Sequence, residues 1–333
     1  MKAAGGRKRY HADAGDGAGG GPAAGRTTEM ENEKRFEEQT VPASDGYALS
    51  THTFDCADPK AVVLFIHGME EYQDRYIPFA CFLQEHGYAV VTADLRGHGR
   101  TAPKLSHIAD RDGDKLLIED EKVLLNRIRD RWQGTPVFLF AHSMGTIIAR
   151  KLMQTDSGAF AKAALSGYPN PQAAARIGAK LAGWIAARKG KDGHSGLIDN
   201  MVLGSFSKSV KDAKTPCDWL SVNPDNVKAY MEDPLCGKAF TLGSYDALFR
   251  LLADIGRPEL YRDVKADLPI LLIAGAEDPC VGGEKGKADS LDRLQRAGFR
   301  NIRTEDLPGM RHEILNEKDN ILVYRKILAF FDE

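Results

Sequence analysis

The sequence lacks the features that identify nucleic-acid-binding, zinc-binding and membrane-spanning proteins. Its 333 residues carry a formal net charge of −2, so a strongly basic surface that binds nucleic acid is not expected. The five cysteines are an odd number and include no CxxC pair and no cysteine–histidine cluster, which argues against a zinc site. No apolar run approaches 18 residues, so stable insertion into a membrane is not expected.

The N-terminal segment also lacks large apolar side chains. It begins MKAAGGRKRYHADAGDGAGGGPAAG, with basic residues but without the hydrophobic region of a signal peptide, so we expect a cytoplasmic protein with reduced thiols. Residues 1–30 are rich in Gly and Ala and cannot bury enough surface to offset their ordering entropy, so we expect a disordered tail. Met30 is a second candidate for the translation start.

From residue 36 onward, segments that predict strands alternate with segments that predict helices. Residues 37–41 and 47–54 flank an Asp45–Gly46 turn and predict a β-hairpin. Further strands, mostly continuous apolar runs typical of a sheet covered on both faces, are predicted at 61–68, 89–97, 137–143, 162–167 and 269–278. Helices are predicted at 76–86, 116–131 and 146–153. This alternation predicts an α/β fold with a mostly parallel central sheet flanked by helices.

The alternation stops for about ninety residues in the second half of the chain. This stretch is too long for a simple crossover between strands, so we interpret residues 169–257 as an inserted helical cap. Residues 36–168 and 258–333 are then the two parts of the α/β core.

The segment VFLFAHSMGTI, residues 137–147, places Ser143 between a predicted strand and a predicted helix. A serine on such a tight turn exposes its hydroxyl at the carboxyl edge of the sheet, next to a helix N-terminus. The turn needs small residues two positions away on either side, and Ala141 and Gly145 meet that need. The alternative is that Ser143 only caps the helix, since serine is favoured at that position.

The other parts of a serine nucleophile site follow in order along the chain. Asp278 stands at the end of a predicted strand, and His312 follows the next candidate strand, so the order is serine, acid, histidine. Backbone N–H groups of Met69 and Met144 are the predicted donors to an oxyanion. Each part is a weak signal alone, and together they indicate nucleophilic catalysis.

Five motifs carry a family resemblance that extends over about residues 35–331: HGMEEYQDRY (67–76), DLRGHGRT (94–101), AHSMGT (141–146), AGAEDP (274–279) and RHEILNE (311–317). Together they closely resemble the monoacylglycerol lipase and lysophospholipase family, also described as serine aminopeptidase-like hydrolases. The resemblance implies an α/β-hydrolase fold without a cofactor or metal. It also implies a site made of the nucleophile Ser143, the acid Asp278, the base His312 and the oxyanion residues Met69 and Met144.

Several residues in these motifs have alternative interpretations. Glu277 adjoins Asp278 and is the competing candidate for the acid. His67, His98 and His142 lie in the motifs, where local hydrogen bonding is the expected role rather than that of the base. We also expect Glu71 and Arg75 to form a buried or half-buried ion pair that braces the oxyanion loop, the alternative being ordinary surface charges.

The cap is expected to select the substrate. Residues 173–189 place Ile177, Leu181, Trp184 and Ile185 on one face of a predicted amphipathic helix, which either packs onto the core or contacts a lipid surface transiently. Candidate substrate-binding residues are Trp184, Phe206, Trp219 and Tyr230, although such aromatics could equally form the cap's own core.

The expected activity is hydrolysis of small-molecule esters or lipids: monoacylglycerol-like, lysophospholipid-like, or short- and medium-chain esters. Transfer of the acyl group to an alcohol, and peptide or amide hydrolysis, remain alternatives at this stage. The oligomeric state is left open by the sequence.

Overall fold

A sheet of eight strands organises the described part of the chain, residues 35–170 and 175–333 of the computed structural model. The predicted disordered tail, residues 1–30, lies outside these described residues. The strands are β1 (Glu37–Pro42), β2 (Ala48–Phe54), β3 (Val62–Ile66), β4 (Ala89–Ala93), β5 (Val137–His142), β6 (Lys162–Ser166), β7 (Ile270–Gly275) and β8 (Ile302–Leu307).

The sheet is parallel except at one edge. Its strand order is β1-β2-β4-β3-β5-β6-β7-β8, and only the β1–β2 and β2–β4 pairs are antiparallel. The predicted hairpin is confirmed: β1 pairs with β2 across a turn in which Gly46 has φ of 86°, and the Tyr47 N–H donates to the Asp45 carboxylate. Every residue of β3, β4, β5 and β7 is buried, as the continuous apolar runs predict.

Ten α-helices are found in the described residues: α1 (Ile77–Glu85), α2 (Gly113–Arg131), α3 (Met144–Asp156), α4 (Ala175–Lys189), α5 (Gly196–Val202), α6 (Gly204–Ser209), α7 (Pro224–Glu232), α8 (Leu242–Ile255), α9 (Gly283–Arg296) and α10 (Asn320–Asp332). Side chains of β5 alternate between the two faces of the sheet, with Leu139 on one and Phe140 on the other. Helices α2, α3 and α8 cover the first face, and α1 and α10 cover the second. The predicted α/β architecture is confirmed.

Between β6 and β7 the described residues contain helices and no strand; we call this segment the helical insertion. Its last helix, α8, is largely buried and packs on α2 and α3, and α4 packs on α8 in turn. Part of the insertion therefore belongs to the helical layer over the sheet. The cap boundaries at residues 169 and 257 stay a prediction.

The predicted apolar face of the helix at 173–189 is divided between the two alternatives, because Leu181 and Ile185 are partly buried against the core while Ile177 and Trp184 are exposed. In α4 the buried side is formed by Ala175, Gly178, Ala182 and Ala186, whereas Ile177 is 69% and Trp184 is 60% exposed. The reason is the close approach of α8: a Cβ added to Gly178 would lie 3.0 Å from the Phe249 ring. Such contact selects small side chains where α4 meets α8, and Ile177 and Trp184 turn outward.

No helix in the described ranges combines the length and the apolar character that crossing a bilayer requires.

Candidate active site

Ser143 lies on a strained turn between β5 and α3, with φ of 51° and ψ of −121°. A positive φ is uncommon for a residue other than glycine, and strain of this kind is concentrated at functional sites. The Ser143 side chain makes no capping hydrogen bond to α3, so the turn does not exist to cap the helix. A Cβ on Gly145 would lie 2.3 Å from the Ile66 carbonyl oxygen, which explains why this neighbour is glycine.

Hydrogen bonds connect the three candidate catalytic side chains in one line. His312 Nε2 lies 2.8 Å from Ser143 Oγ, and His312 Nδ1 lies 2.9 Å from Asp278 Oδ2. Asp278 follows β7, His312 follows β8, and parallel strands bring both to the same edge of the sheet as Ser143. The competing acid, Glu277, has a side chain 56% exposed and points toward Arg311 at 3.9 Å rather than toward His312.

The electrostatics suit an imidazole that accepts a proton. Burial lowers the pKa of His312, but the charge and hydrogen bond of Asp278, together with the charges of Glu313 and Glu71, raise it above the ordinary histidine value. The second oxygen of Asp278, Oδ1, accepts a hydrogen bond of 2.8 Å from the Cys280 N–H. The carboxylate is therefore held in place from both sides.

The other motif histidines make local hydrogen bonds. The Leu95 N–H donates to His67 Nε2 at 2.9 Å, and His98 Nδ1 lies 2.9 Å from the Arg96 carbonyl oxygen. Burial lowers the pKa of His98 to about 4 and holds the pKa values of His67 and His142 well below the usual range. These rings are neutral at physiological pH.

The two candidate oxyanion donors lie beside Ser143. Met144 is the first residue of α3, so its N–H has no acceptor within the helix. Met69 follows β3 and Gly68, and the Gly68 N–H donates to Glu71 Oε1 at 2.6 Å. A Cβ on Gly68 would lie 3.0 Å from the Ser143 Cβ, so the loop and the serine are in close contact.

A buried ion cluster holds this loop; we call it the Arg75 cluster, consisting of Glu71, Arg75, Asn226 and Glu313. The predicted Glu71–Arg75 ion pair is confirmed, with Arg75 Nη1 donating to Glu71 Oε2 at 2.8 Å. Arg75 also donates to both oxygens of Glu313, at 2.6 and 2.7 Å, and Asn226 Nδ2 donates to Glu313 Oε2 at 2.7 Å. Burial alone would raise the pKa of Glu313, but Arg75 lowers it below the ordinary value. The cluster thus connects three parts of the chain: the candidate oxyanion loop (residues 67–72), the insertion, and the residue after His312.

A cavity of about 440 Å³ opens beside Ser143 and His312. Three of the four predicted substrate-binding residues line it: Phe206, Trp219 and Tyr230. The Trp219 ring lies 5.0 Å from the His312 ring and 5.0 Å from the Phe206 ring.

The prediction for Trp184 is wrong. Its side chain is 60% exposed and is not part of the cavity wall. The Arg188 guanidinium lies 3.8 Å from the Trp184 ring centroid, so the indole stacks on a cation at the protein surface.

The sequence interpretation missed four residues of this region: Asn226, Glu313, Glu70 and Asp199. Glu313 follows the candidate base directly and Glu70 follows Met69 directly, so both had a positional signal. Asn226 and Asp199 had none, because only the folded insertion brings them to the site. Glu70 and Asp199 both line the cavity.

One group of potential metal ligands was found in the described residues, formed by Asp278, Cys280 and His312, whose ligand atoms lie within 4.8 Å of one another. His312 and Asp278 are already hydrogen-bonded to each other through the atoms a metal would need. Burial and the charge of Asp278 raise the pKa of the Cys280 thiol well above its usual value, which disfavours the thiolate that a metal binds. The hydrogen-bonded His312–Asp278 pair therefore suits a histidine base with its orienting acid better than a metal centre.

Comparisons with known proteins identify a hydrolase family. Residues 57–319 match the family described as serine aminopeptidase, S33, a hydrolase family. The chain is 27% identical over 274 residues to a monoacylglycerol lipase of Mycolicibacterium smegmatis, a match that covers 82% of this chain and 88% of that protein. It is 24% identical to the phospholipase YtpA of Bacillus subtilis, covering 84% of this chain and 98% of the relative.

Among solved structures, a thermostable carboxyl esterase from Bacillus coagulans superimposes with a TM-score of 0.82 at 26% identity, covering 89% of this chain and 98% of the esterase. The α/β-hydrolase fold and the resemblance to monoacylglycerol lipases are confirmed, and so is the expected enzyme class, a hydrolase of the lipase and esterase type. The family match covers most of the chain, and the chain therefore belongs to the serine aminopeptidase S33 family of α/β-hydrolases.

Proposed function

We propose that the protein hydrolyses carboxylic esters, of the monoacylglycerol-like, lysophospholipid-like or short- and medium-chain kind, through an acyl-enzyme on Ser143. The observation that carries the proposal is the line of hydrogen bonds from Ser143 through His312 to Asp278 at the wall of the cavity. The named activities of the lipase, phospholipase and esterase relatives support the substrate class.

In the proposed mechanism, Ser143 Oγ attacks the ester carbonyl while His312 Nε2 accepts the hydroxyl proton. Asp278 stabilises the imidazolium that forms, and the N–H groups of Met69 and Met144 stabilise the negative charge on the carbonyl oxygen. Collapse of this intermediate transfers the proton from His312 to the departing alcohol and leaves the acyl group on Ser143. Water then attacks the acyl-enzyme with His312 again acting as the base, which releases the acid and restores the serine.

The proposed substrate carries one acyl chain. Helices α6 and α7 supply Phe206 and Tyr230 to the cavity. Helices α3 and α8 supply Ile147, Leu248 and Leu252. A cavity of about 440 Å³ with this apolar wall suits a single chain better than the three chains of a triacylglycerol.

The test is a panel of esters with graded acyl length, with a triacylglycerol emulsion and amides as further substrates. Each additional buried methylene should contribute up to about 0.8 kcal/mol until the cavity is full, after which kcat/KM levels off. Ser143→Ala should lose fluorophosphonate labelling and on the order of 10⁴ to 10⁶ in kcat.

Two tryptophan variants give a matched control for the same panel. Trp219→Ala should move the acyl length at which kcat/KM levels off, because Trp219 lines the cavity. Trp184→Ala should leave it unmoved, because that side chain faces outward. Labelling of a different serine would refute the assignment of the nucleophile, and rapid triacylglycerol turnover would refute the substrate class.

The outward surface of the insertion supports transient contact with a lipid surface as part of this function. Ile177 and Trp184 on α4 and Leu197 and Met201 on α5 are each at least half exposed. Met201 also lines the cavity, so the apolar surface is continuous with the substrate site. Helix α4 also carries four exposed basic residues that would complement anionic lipid headgroups: Arg176, Lys180, Arg188 and Lys189.

A further inference from the structure

Glu70 occupies an unusual backbone position at the edge of the cavity. It follows Met69 in the oxyanion loop and has φ of 59°, in the left-handed region that side chains other than glycine rarely adopt. Its carbonyl oxygen accepts hydrogen bonds from the Gly237 N–H at 2.9 Å and from the Tyr230 hydroxyl at 3.1 Å. The helical insertion thus holds a strained residue against the substrate site, which is where functional strain is found.

The Glu70 side chain is buried without full pairing. The residue is 6% exposed and lines the cavity, and Oε1 has no hydrogen-bond partner within the described ranges. Buried carboxyl oxygens normally have a partner, so an unpartnered one on a residue of the cavity wall points to a ligand group.

A second carboxyl group shares the cavity wall. Asp199, in α5, also lines the cavity, and the Tyr245 hydroxyl donates to Asp199 Oδ1 at 2.6 Å. The other titratable groups that interact with Glu70 are Cys217, Tyr230 and Tyr245, none of them cationic at neutral pH. No Lys or Arg is present among the described residues that line this cavity.

Asp199 acts on the ionisation of Glu70. Burial, and after it the charge of Asp199, raises the pKa of Glu70 to about 8, while a hydrogen bond with the Phe240 backbone lowers it. Glu70 is therefore about half ionised near pH 8, and a positive charge placed beside it would favour the ionised form.

We propose that Glu70, with Asp199, forms a subsite for an alkylammonium group carried by the ester substrate. The subsite rests on the proposed ester hydrolase function and narrows it to substrates that present a cation near the oxyanion loop. The cation would pair with the Glu70 carboxylate, and an ammonium with an N–H would also donate to the unpartnered Oε1. The group can belong to the alcohol or to the acyl chain, and the test separates the two.

The main experiment compares substrates of equal shape and different charge at pH 8. For the alcohol side, butyrylcholine is compared with 3,3-dimethylbutyl butyrate. For the acyl side, the 4-nitrophenyl ester of 6-(trimethylammonio)hexanoic acid is compared with that of 7,7-dimethyloctanoic acid. The quantity measured is the ratio of kcat/KM for the cationic ester to that for its neutral partner, in which effects common to both esters cancel.

Glu70→Gln keeps the shape of the side chain and removes its charge. It should lower the cationic-to-neutral ratio on the order of tenfold for one of the two pairs, and Asp199→Asn should lower the ratio of the same pair by less. In the parent protein that ratio should rise as pH increases through about 8, as Glu70 ionises. Glu119→Gln, at an exposed position of α2, is the matched control and should leave both ratios unchanged.

Binding of hexyltrimethylammonium, measured by calorimetry, needs no turnover and separates this proposal from the proposed function. Weaker binding in Glu70→Gln than in Glu119→Gln supports the subsite even if no ester is hydrolysed. Equal binding and equal ester ratios in the parent and Glu70→Gln would overturn the subsite. Ester hydrolysis by Ser143 is tested separately, by the Ser143→Ala variant.

Discussion

Asp278 acts on the charge of His312 through one hydrogen bond. The His312 side chain is 2% exposed and that of Asp278 fully buried, so little water screens the pair. Burial opposes the imidazolium, and the Asp278 carboxylate, together with the charges of Glu313 and Glu71, more than compensates for that effect. The proton that His312 would receive from Ser143 therefore enters a site in which its charge is already balanced.

The pH profile of kcat/KM should report this balance. Activity needs the neutral imidazole, so the rate should fall as pH decreases through an apparent pKa above the usual histidine value of about 6.5. In Asp278→Asn the main cause that raises this pKa is removed, so the acid limb should move to lower pH while kcat/KM falls on the order of 10⁴. Glu277→Gln, next in the chain and exposed, is the control that should move neither. An acid limb that stays in place in Asp278→Asn would contradict the assignment.

At the level of secondary structure, the contact between α4 and α8 depends on the small residues of α4. A Cβ on Gly178 would meet the Phe249 ring at 3.0 Å, whereas a Cβ on Gly183, in the same helix, would have nothing within 4 Å. The same substitution at these two glycines therefore separates the intrinsic helix preference of alanine from the effect of packing.

Gly183→Ala should raise the free energy of unfolding by roughly 0.5–1 kcal/mol, because alanine is the better helix former. Gly178→Ala should give no such gain, and Gly178→Leu should lower the free energy of unfolding by about 1–3 kcal/mol through overpacking against Phe249. Chemical denaturation of the three variants measures these differences. Equal stabilisation by alanine at both glycines would show that α4 and α8 are not in close contact.

The same helix shows why part of the fold was not predictable. Apolar runs identify β3, β5 and β7 because a strand covered on both faces must be apolar throughout. In α4 the pattern of large apolar residues indicates one buried face, but the close partner α8 buries the neighbouring small-residue face most deeply and leaves Ile177 and Trp184 exposed. The identity of the packing partner is tertiary information, which helical periodicity does not contain.

The candidate site likewise has a part that the sequence predicts and a part that it does not. Ser143, Asp278 and His312 follow strand ends, so their order along the chain and the parallel sheet together predict that they meet. The link from Arg75 to Asn226 crosses 151 positions of the chain, and no local pattern encodes it. The strain at Glu70 is likewise visible only in the backbone dihedral angle.

At the scale of the whole molecule, α4 and α5 expose four large apolar side chains, and α4 adds four exposed basic ones. If this side of the insertion contacts lipid, Met201 would join the contact surface to the cavity wall. Apolar contact would supply most of the affinity, and the basic residues would add an attraction that salt weakens.

Co-sedimentation with vesicles that contain anionic lipid tests this contact. The double variant Ile177→Ser/Trp184→Ser should bind on the order of tenfold or more weakly, because two apolar side chains no longer enter the interface. Leu322→Ser, which removes a 53% exposed leucine from α10, is the matched control and should bind as the parent does. Undiminished binding of the double variant would show that Ile177 and Trp184 do not contact the lipid surface.

The Arg75 cluster also has a consequence for the order of folding. Its ion pair between Arg75 and Glu313 joins positions 238 residues apart, and Asn226 enters it from the middle of the chain. Contacts of such separation form late, because the entropy of closing the long loops must be offset first. During synthesis, the oxyanion loop leaves the ribosome long before the glutamate that braces it. The ion pair that braces the loop containing Met69 can therefore form only after nearly the whole chain has been made, and the candidate base His312 is made equally late.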